Sequence, residues 1–303
     1  MTQAWDQQRE RSNTFMLRLL IGIAHVLGRS VARVLLLPIT AYFLLTGGAA
    51  KRASRHYLRR VLQREPTLGD LARHFHAFAS TSLDRFFFLS GSHSQFEVAV
   101  HRPQAVYDLS VQHRGCLLLL AHVGSFEVLR TIAVDQRSLP LRMLIDLQTN
   151  HRFISVVKEL HPDFAARVID ASQPGPALVL SLKEALEQRA MVGMMADRVR
   201  DNERSVQVDF LGGTVRLPAG PWILAATLGV PVIVAFGLYR GGNRYDVHFE
   251  LFADKIALPR AQREQALQHC VQAFATQLEA RVQSAPYNWF NFYDFWADET
   301  PAH

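Results

Sequence analysis

One imidazole and one carboxylate stand out as a pair that could do chemistry. In Leu120-Ala121-His122-Val123-Gly124-Ser125-Phe126-Glu127, a histidine and a glutamate lie five positions apart, directly after the apolar run 115–121. The spacing alone says little, because thirteen histidines and 27 acidic residues make a chance match unsurprising. The context says more. A continuous apolar run reads as a strand buried on both faces, so His122 falls at its carboxyl end, where open α/β sheets place their ligands. Gly124 permits a tight turn, and Glu127 falls in the first turn of a helix expected over 126–133. A carboxylate there can fold back onto one imidazole nitrogen, fixing the tautomer and raising the basicity of the other. Such a base removes the proton of a hydroxyl attacking a carbonyl carbon, a contribution of roughly 10²–10⁴ in rate. The helix N-terminus offers backbone N–H groups to an oxyanion or a phosphate. The same two residues also have a plain structural use, as a strand-closing histidine and a carboxylate favoured by a helix dipole.

Other chemistries fit poorly. Ser125 lies in Val-Gly-Ser-Phe-Glu, not in the GxSxG of a serine-hydrolase elbow. Cys116 and Cys270 make neither a disulfide framework nor a CxxC pair. No further ligands stand at metal spacing, so neither a metal nor a resident cofactor is expected.

The elements that must hold the pair are legible downstream. Strands are expected at 115–121, 141–145, 167–169, 191–196 and 231–237, and helices at 153–160, 177–188 and 221–228. Thr67 and Asp70 resemble a capping box opening a helix, with Leu71, Phe75 and Leu83 on one side and Gly91 as its stop. The segments 206–210 and 214–217, around Gly212-Gly213, read as a hairpin. Gly241-Gly242-Asn243 turns the 231–237 strand back into 245–252. A last helix carries Leu267, Val271, Phe274, Leu278 and Val282 on one stripe. Strands alternating with helices give an α/β fold, a mixed and largely parallel sheet flanked by helices.

Charge divides the chain. Residues 1–64 hold eleven Lys/Arg against Asp6 and Glu10, while the remainder holds 22 basic and 25 acidic side chains. This block interleaves its arginines with two apolar stretches, 19–28 and 34–50. Basic residues among apolar runs suit an anionic membrane surface, whereas a nucleic-acid binder spreads its charge over a face. Residues 1–64 therefore read as a membrane-associated helical hairpin whose Lys51, Arg52, Arg55, Arg59 and Arg60 meet lipid headgroups. Spanning is not expected, and neither is a cleaved signal, since the longer apolar run starts more than thirty residues from Met1. Residues 65–303 form the catalytic body, ending in the aromatic tail 287–296, which is expected to dock onto it. No nucleic-acid partner is expected.

The order of the remaining segments carries a resemblance. After the His-x4-Glu pair come Ala196-Asp197-Arg198, Val206-Gln207-Val208-Asp209-Phe210-Leu211-Gly212-Gly213, Leu217-Pro218-Ala219-Gly220-Pro221 and Leu228-Gly229-Val230-Pro231-Val232. This series resembles the lysophospholipid acyltransferase superfamily, and within it the bacterial branch of late lipid A (lauroyl and myristoyl) acyltransferases. The tail from Trp289 to Trp296 resembles a subgroup linked to acylation of other glycolipids or aryl-polyene pigments. The resemblance implies His122 as general base and Glu127 as the residue that orients it. It implies Asp197 and Arg198 at the acceptor site, the latter pairing with a phosphate or carboxylate through its planar fork. Gly124, Ser125, Asn150, Asp197 and Arg198 are the expected substrate-binding residues. The donor implied is an acyl thioester, from acyl carrier protein in preference to acyl-CoA. The acceptor is a hydroxyl of a membrane lipid or glycolipid, at the cytoplasmic face of a bacterial inner membrane. A lipid-binding protein without turnover and a thioester hydrolase are the alternatives.

Overall fold

The computed structural model describes residues 14–89, 91, 93–129, 140–147, 166–200 and 203–296, with side chains from residue 28 onward. Asn150 and the helix expected at 153–160 lie outside the described residues, as does the end of the one expected at 126–133. Seven strands, β1 (Glu97–His101), β2 (Cys116–Leu120), β3 (Leu141–Ile145), β4 (Val168–Asp170), β5 (Met191–Met195), β8 (Val232–Tyr239) and β9 (Arg244–Ala253), form one sheet in the order β1-β9-β8-β2-β5-β3-β4. All neighbours run parallel except β8 and β9, which are antiparallel. β6 (Ser205–Phe210) and β7 (Gly213–Pro218) make the separate hairpin. Its turn is Leu211-Gly212, both at positive φ, one residue earlier than the glycine pair suggested.

Leu117 and Leu119 point into one apolar cluster and Cys116, Leu118 and Leu120 into another. Alternation along β2 thus feeds both faces, which is why its sequence is apolar throughout. One face is covered by α2 (Gly48–Leu62), α5 (Gly175–Glu187), α6 (Gly220–Leu228) and α7 (Arg263–Ser284), together with the β6–β7 hairpin. The other face is covered by α3 (Leu68–Leu89) and α4 (Gln104–Val111). The expected stripe of α7 is fully buried. The capping box at α3 is reciprocal: Asp70 N donates to Thr67 Oγ1 at 3.1 Å, and Thr67 N donates to Asp70 Oδ2 at 2.8 Å.

The N-terminal block is helical, as expected, and one side of it packs on the body. α1 (Thr14–Thr46) is one helix kinked at Gly28, whose φ of 81° only glycine adopts readily. Beyond the kink, Ala32 and Leu36 pack on Leu83 of α3. Arg29 and Arg33, which fall between the two apolar stretches, turn inward. Arg29 Nε and Nη2 each donate to Asp84 at 2.7 Å, and Arg33 reaches Tyr239 Oη at 3.1 Å and the Gly242 carbonyl. Tyr245 Oη also donates to Asp84, at 2.7 Å. The Asp84 carboxylate is sealed from solvent, and burial raises its pKa although Arg29 and Tyr245 oppose the rise. Asp84 was not flagged by the sequence. A buried carboxylate on a helix otherwise rich in Phe and Leu needs a paired cation, which Arg29 supplies, and the charge of Arg33 adds to it. The opposite face of α1 stays apolar and open, with Val31, Val34, Leu37, Tyr42 and Leu45 exposed. Gly28–Thr46 is long and apolar enough to cross a membrane by length and composition. α2 shares the body's core through Tyr57, Leu58 and Val61.

Candidate functional site

β2 and β5 are parallel neighbours in the register Leu120↔Met195. Two residues further along each strand stand His122 and Asp197, so the sheet itself delivers them side by side at its carboxyl edge. His122 Nδ1 lies 2.7 Å from Asp197 Oδ1, and the His122 backbone N–H donates to Oδ2 at 2.9 Å. Trp289 Nε1 adds a third bond to that carboxylate at 3.1 Å. Asp197 is fully buried, while 28% of the His122 side chain stays open, so the ring can be reached from outside.

The carboxylate that meets the imidazole is therefore Asp197, where Glu127 was expected. Glu127 sits in the turn after His122 and is itself buried, but its oxygens are engaged elsewhere. Oε2 accepts from Ser125 Oγ at 2.9 Å, and Oε1 is paired with Arg85 of α3. The reason is topological: a turn bends away from the strand axis, whereas a neighbouring strand end stays in register. Ser125 is buried and bound to Glu127, with its backbone N–H donating to the Gly237 carbonyl at 2.8 Å. Gly124 N–H donates to the Asn288 carbonyl at 2.8 Å. The backbone N–H groups of Gly124 and Ser125, two of the expected substrate-binding residues, are thus committed to the fold.

Gly124 has φ +64°, and a Cβ there would stand 1.9 Å from the Gly237 carbonyl oxygen. Left-handed backbone costs a non-glycine residue roughly 1–2 kcal/mol, and overpacking adds roughly 1–3 kcal/mol. Gly124→Ala should therefore lower the melting temperature and displace His122, so that stability and activity fall together in a thermal-shift and turnover comparison.

The aromatic tail docks, as expected, and does so directly over the dyad. Phe290 N–H donates to the His122 carbonyl at 2.9 Å, and Trp289 is fully buried among Tyr57, Phe210, Phe295 and Trp296. His74 Nε2 bonds the Trp289 carbonyl at 2.9 Å and its Nδ1 bonds Ser54 at 2.8 Å. Arg198 was expected to receive an acceptor anion. It instead clamps this tail, Nε donating to Asn291 Oδ1 at 2.6 Å and Nη2 to the Phe290 carbonyl at 2.8 Å. Arg85, absent from the sequence-derived set, keeps 35% of its side chain open, and its charge reaches His122. No pattern in α3 marks it out, since its partner is distant in the chain.

The electrostatics suit a base that is neutral at neutral pH. Burial, followed by the Arg198 cation, holds the His122 pKa below the ordinary 6.5, against the opposing pull of Asp197. Burial works against ionisation of Asp197, but His122 and Arg198 outweigh it and hold the carboxyl well below its usual range. Ionised Asp197 then accepts the Nδ1 proton and leaves the lone pair on Nε2. No individual curated protein matches the chain significantly. The profile of bacterial lipid A biosynthesis acyltransferases matches residues 85–297, from Arg85 through His122 and Asp197 to the docked tail. With a match over more than two thirds of its length, the chain belongs to the bacterial lipid A biosynthesis acyltransferase family.

Proposed function

We propose that the protein moves a fatty acyl chain from acyl carrier protein to a hydroxyl of a lipid or glycolipid at the cytoplasmic face of a bacterial inner membrane. The 2.7 Å bond between His122 Nδ1 and Asp197 carries the mechanism. His122 Nε2 takes the acceptor's hydroxyl proton as its oxygen attacks the thioester carbonyl carbon. The tetrahedral intermediate collapses, the C–S bond breaks, and the imidazolium returns the proton to the leaving thiolate. Asp197 stabilises the transient imidazolium. Arg85, paired to Glu127 and partly open, supplies positive charge to an acceptor anion or the developing oxyanion. Glu127 thus holds Arg85 in place, and Ser125 and Gly124 shape the turn. The exposed apolar face of α1, beside the exposed Arg52 and Arg55 of α2, supports attachment to an anionic lipid surface.

The test is acyl transfer with purified protein in mixed-lipid micelles, read by mass spectrometry of acceptor lipids drawn from cells with and without the gene. A lipid gaining one acyl unit only with active protein and acyl carrier protein thioester is the expected result. His122→Ala should abolish it. The acid limb of kcat/KM should fall below pH 6.5, because the neutral ring is the active form and its pKa lies beneath that value. Free fatty acid released without any acceptor would show hydrolysis instead.

A further inference from the structure

At the outer edge of the sheet, β1 and β9 gather three metal-ligating side chains. Among the described residues β1 is an edge strand, paired with β9 alone, and their parallel register sets His101 beside His248. Residues two apart on a strand share a face, so Asp246 joins His248 there. One donor atom from each of His101, Asp246 and His248 lies within 4.8 Å of the other two. The two imidazoles lie side by side, with ring centroids 4.4 Å apart and planes 9° from parallel.

The surroundings favour an ion over an ordinary hydrogen-bonded cluster. Among the described residues, His248 Nε2 has no hydrogen-bond partner, and it is shielded from solvent, an arrangement folded proteins seldom leave unused. Asp246 Oδ2 accepts from Arg240 Nε at 2.7 Å, while Oδ1 faces His101 Nε2 at 3.9 Å. A carboxylate steadied by an outer partner on one oxygen and open on the other is how metal ligands are oriented. The nearby Arg281 is drawn toward Glu250, at 3.6 Å. Access is available, since 47% of the His101 side chain is open.

We propose that His101, Asp246 and His248 bind a divalent transition-metal ion, zinc fitting best. Two imidazoles and one carboxylate are a borderline donor set that suits it, and water completes the tetrahedron. The ligands need only close toward the ion to reach bonds of about 2 Å, and His101, at the open end of β1, can turn to do so. The ion would staple an otherwise exposed edge strand to β9. None of the three residues belongs to the His122–Asp197 pair, and β8 lies between β9 and the strand that carries His122.

The test is a zinc titration of the chelator-stripped full-length protein, followed by calorimetry. One equivalent should bind, and His101→Gln or His248→Gln should each weaken binding at least ten-fold. His269→Gln, a distant control among thirteen histidines, should leave it unchanged. Zinc should also slow amide exchange across 97–101 in the unaltered protein, a readout that stands even if a variant folds poorly. No saturable binding, binding untouched by both histidine variants, or unaltered exchange in β1 would each overturn the proposal.

Discussion

Asp197→Asn should lower the acyl-transfer kcat about 10²–10⁴-fold, the range associated with a general base, with little change in melting temperature. The amide is nearly isosteric, but it has one acceptor where the carboxylate has two. Three donors converge on Asp197: the His122 N–H at 2.9 Å, Trp289 Nε1 at 3.1 Å and His122 Nδ1 at 2.7 Å. An asparagine oxygen that serves the first two turns its NH2 toward Nδ1. The ring must then carry its proton on Nε2, where a base needs a lone pair. Combining Asp197→Asn with His122→Ala should cost little beyond His122→Ala alone, because members of one catalytic unit are not additive. Glu127→Gln is the contrasting variant. It contacts Ser125 and Arg85, not the imidazole, so it should leave the acid limb of the pH profile where it was. If Glu127→Gln moves that limb and Asp197→Asn does not, the assignment of Asp197 as the orienting carboxylate is wrong.

Arg29→Ala should destabilise the protein by about 3–5 kcal/mol, the usual penalty for leaving one member of a buried ion pair alone. Arg29 is only 10% exposed and Asp84 not at all, with both guanidinium–carboxylate bonds at 2.7 Å. Tyr245 then remains the only described side chain donating to that carboxylate. Asp84 already has a raised pKa, and losing Arg29 raises it further. A carboxyl whose folded pKa exceeds its unfolded one weakens folding as pH rises through that range. The deficit should therefore shrink as the pH is lowered, which urea melts at two pH values can read. Limited proteolysis should cut α1 first, because Arg29 ties it to α3.

Much of the fold was readable because burial writes itself into sequence. β3 falls at 141–145 as expected, β2 and β5 come within a residue of their expected limits, and the α7 stripe is the observed core. β1 and α4 were missed. β1 lies at an edge with four of its five residues exposed, so it shows neither a continuous nor a cleanly alternating apolar pattern. At the site, His122 was found, and Asp197 was placed there in another role, at the acceptor. Local spacing favoured Glu127, five residues on. Asp197, in contrast, follows its own buried run as His122 follows another. Two such runs in register are evidence of neighbouring strand ends, and only the pairing of β2 with β5 reveals that they adjoin. Arg29 was illegible for a similar reason: its partner Asp84 lies fifty-five residues further along the chain, and nothing local joins them.

The docking of residues 288–291 across the His122 turn has a consequence for chain synthesis. Every short motif near the base is translated long before Trp289, Phe290 and Asn291, yet the indole bond to Asp197 and the Arg198 clamp await them. A nascent chain emerging from the ribosome thus carries the reactive residues without their finished setting. A frameshift just upstream of Trp289 would leave the recognisable signature intact and the centre unassembled.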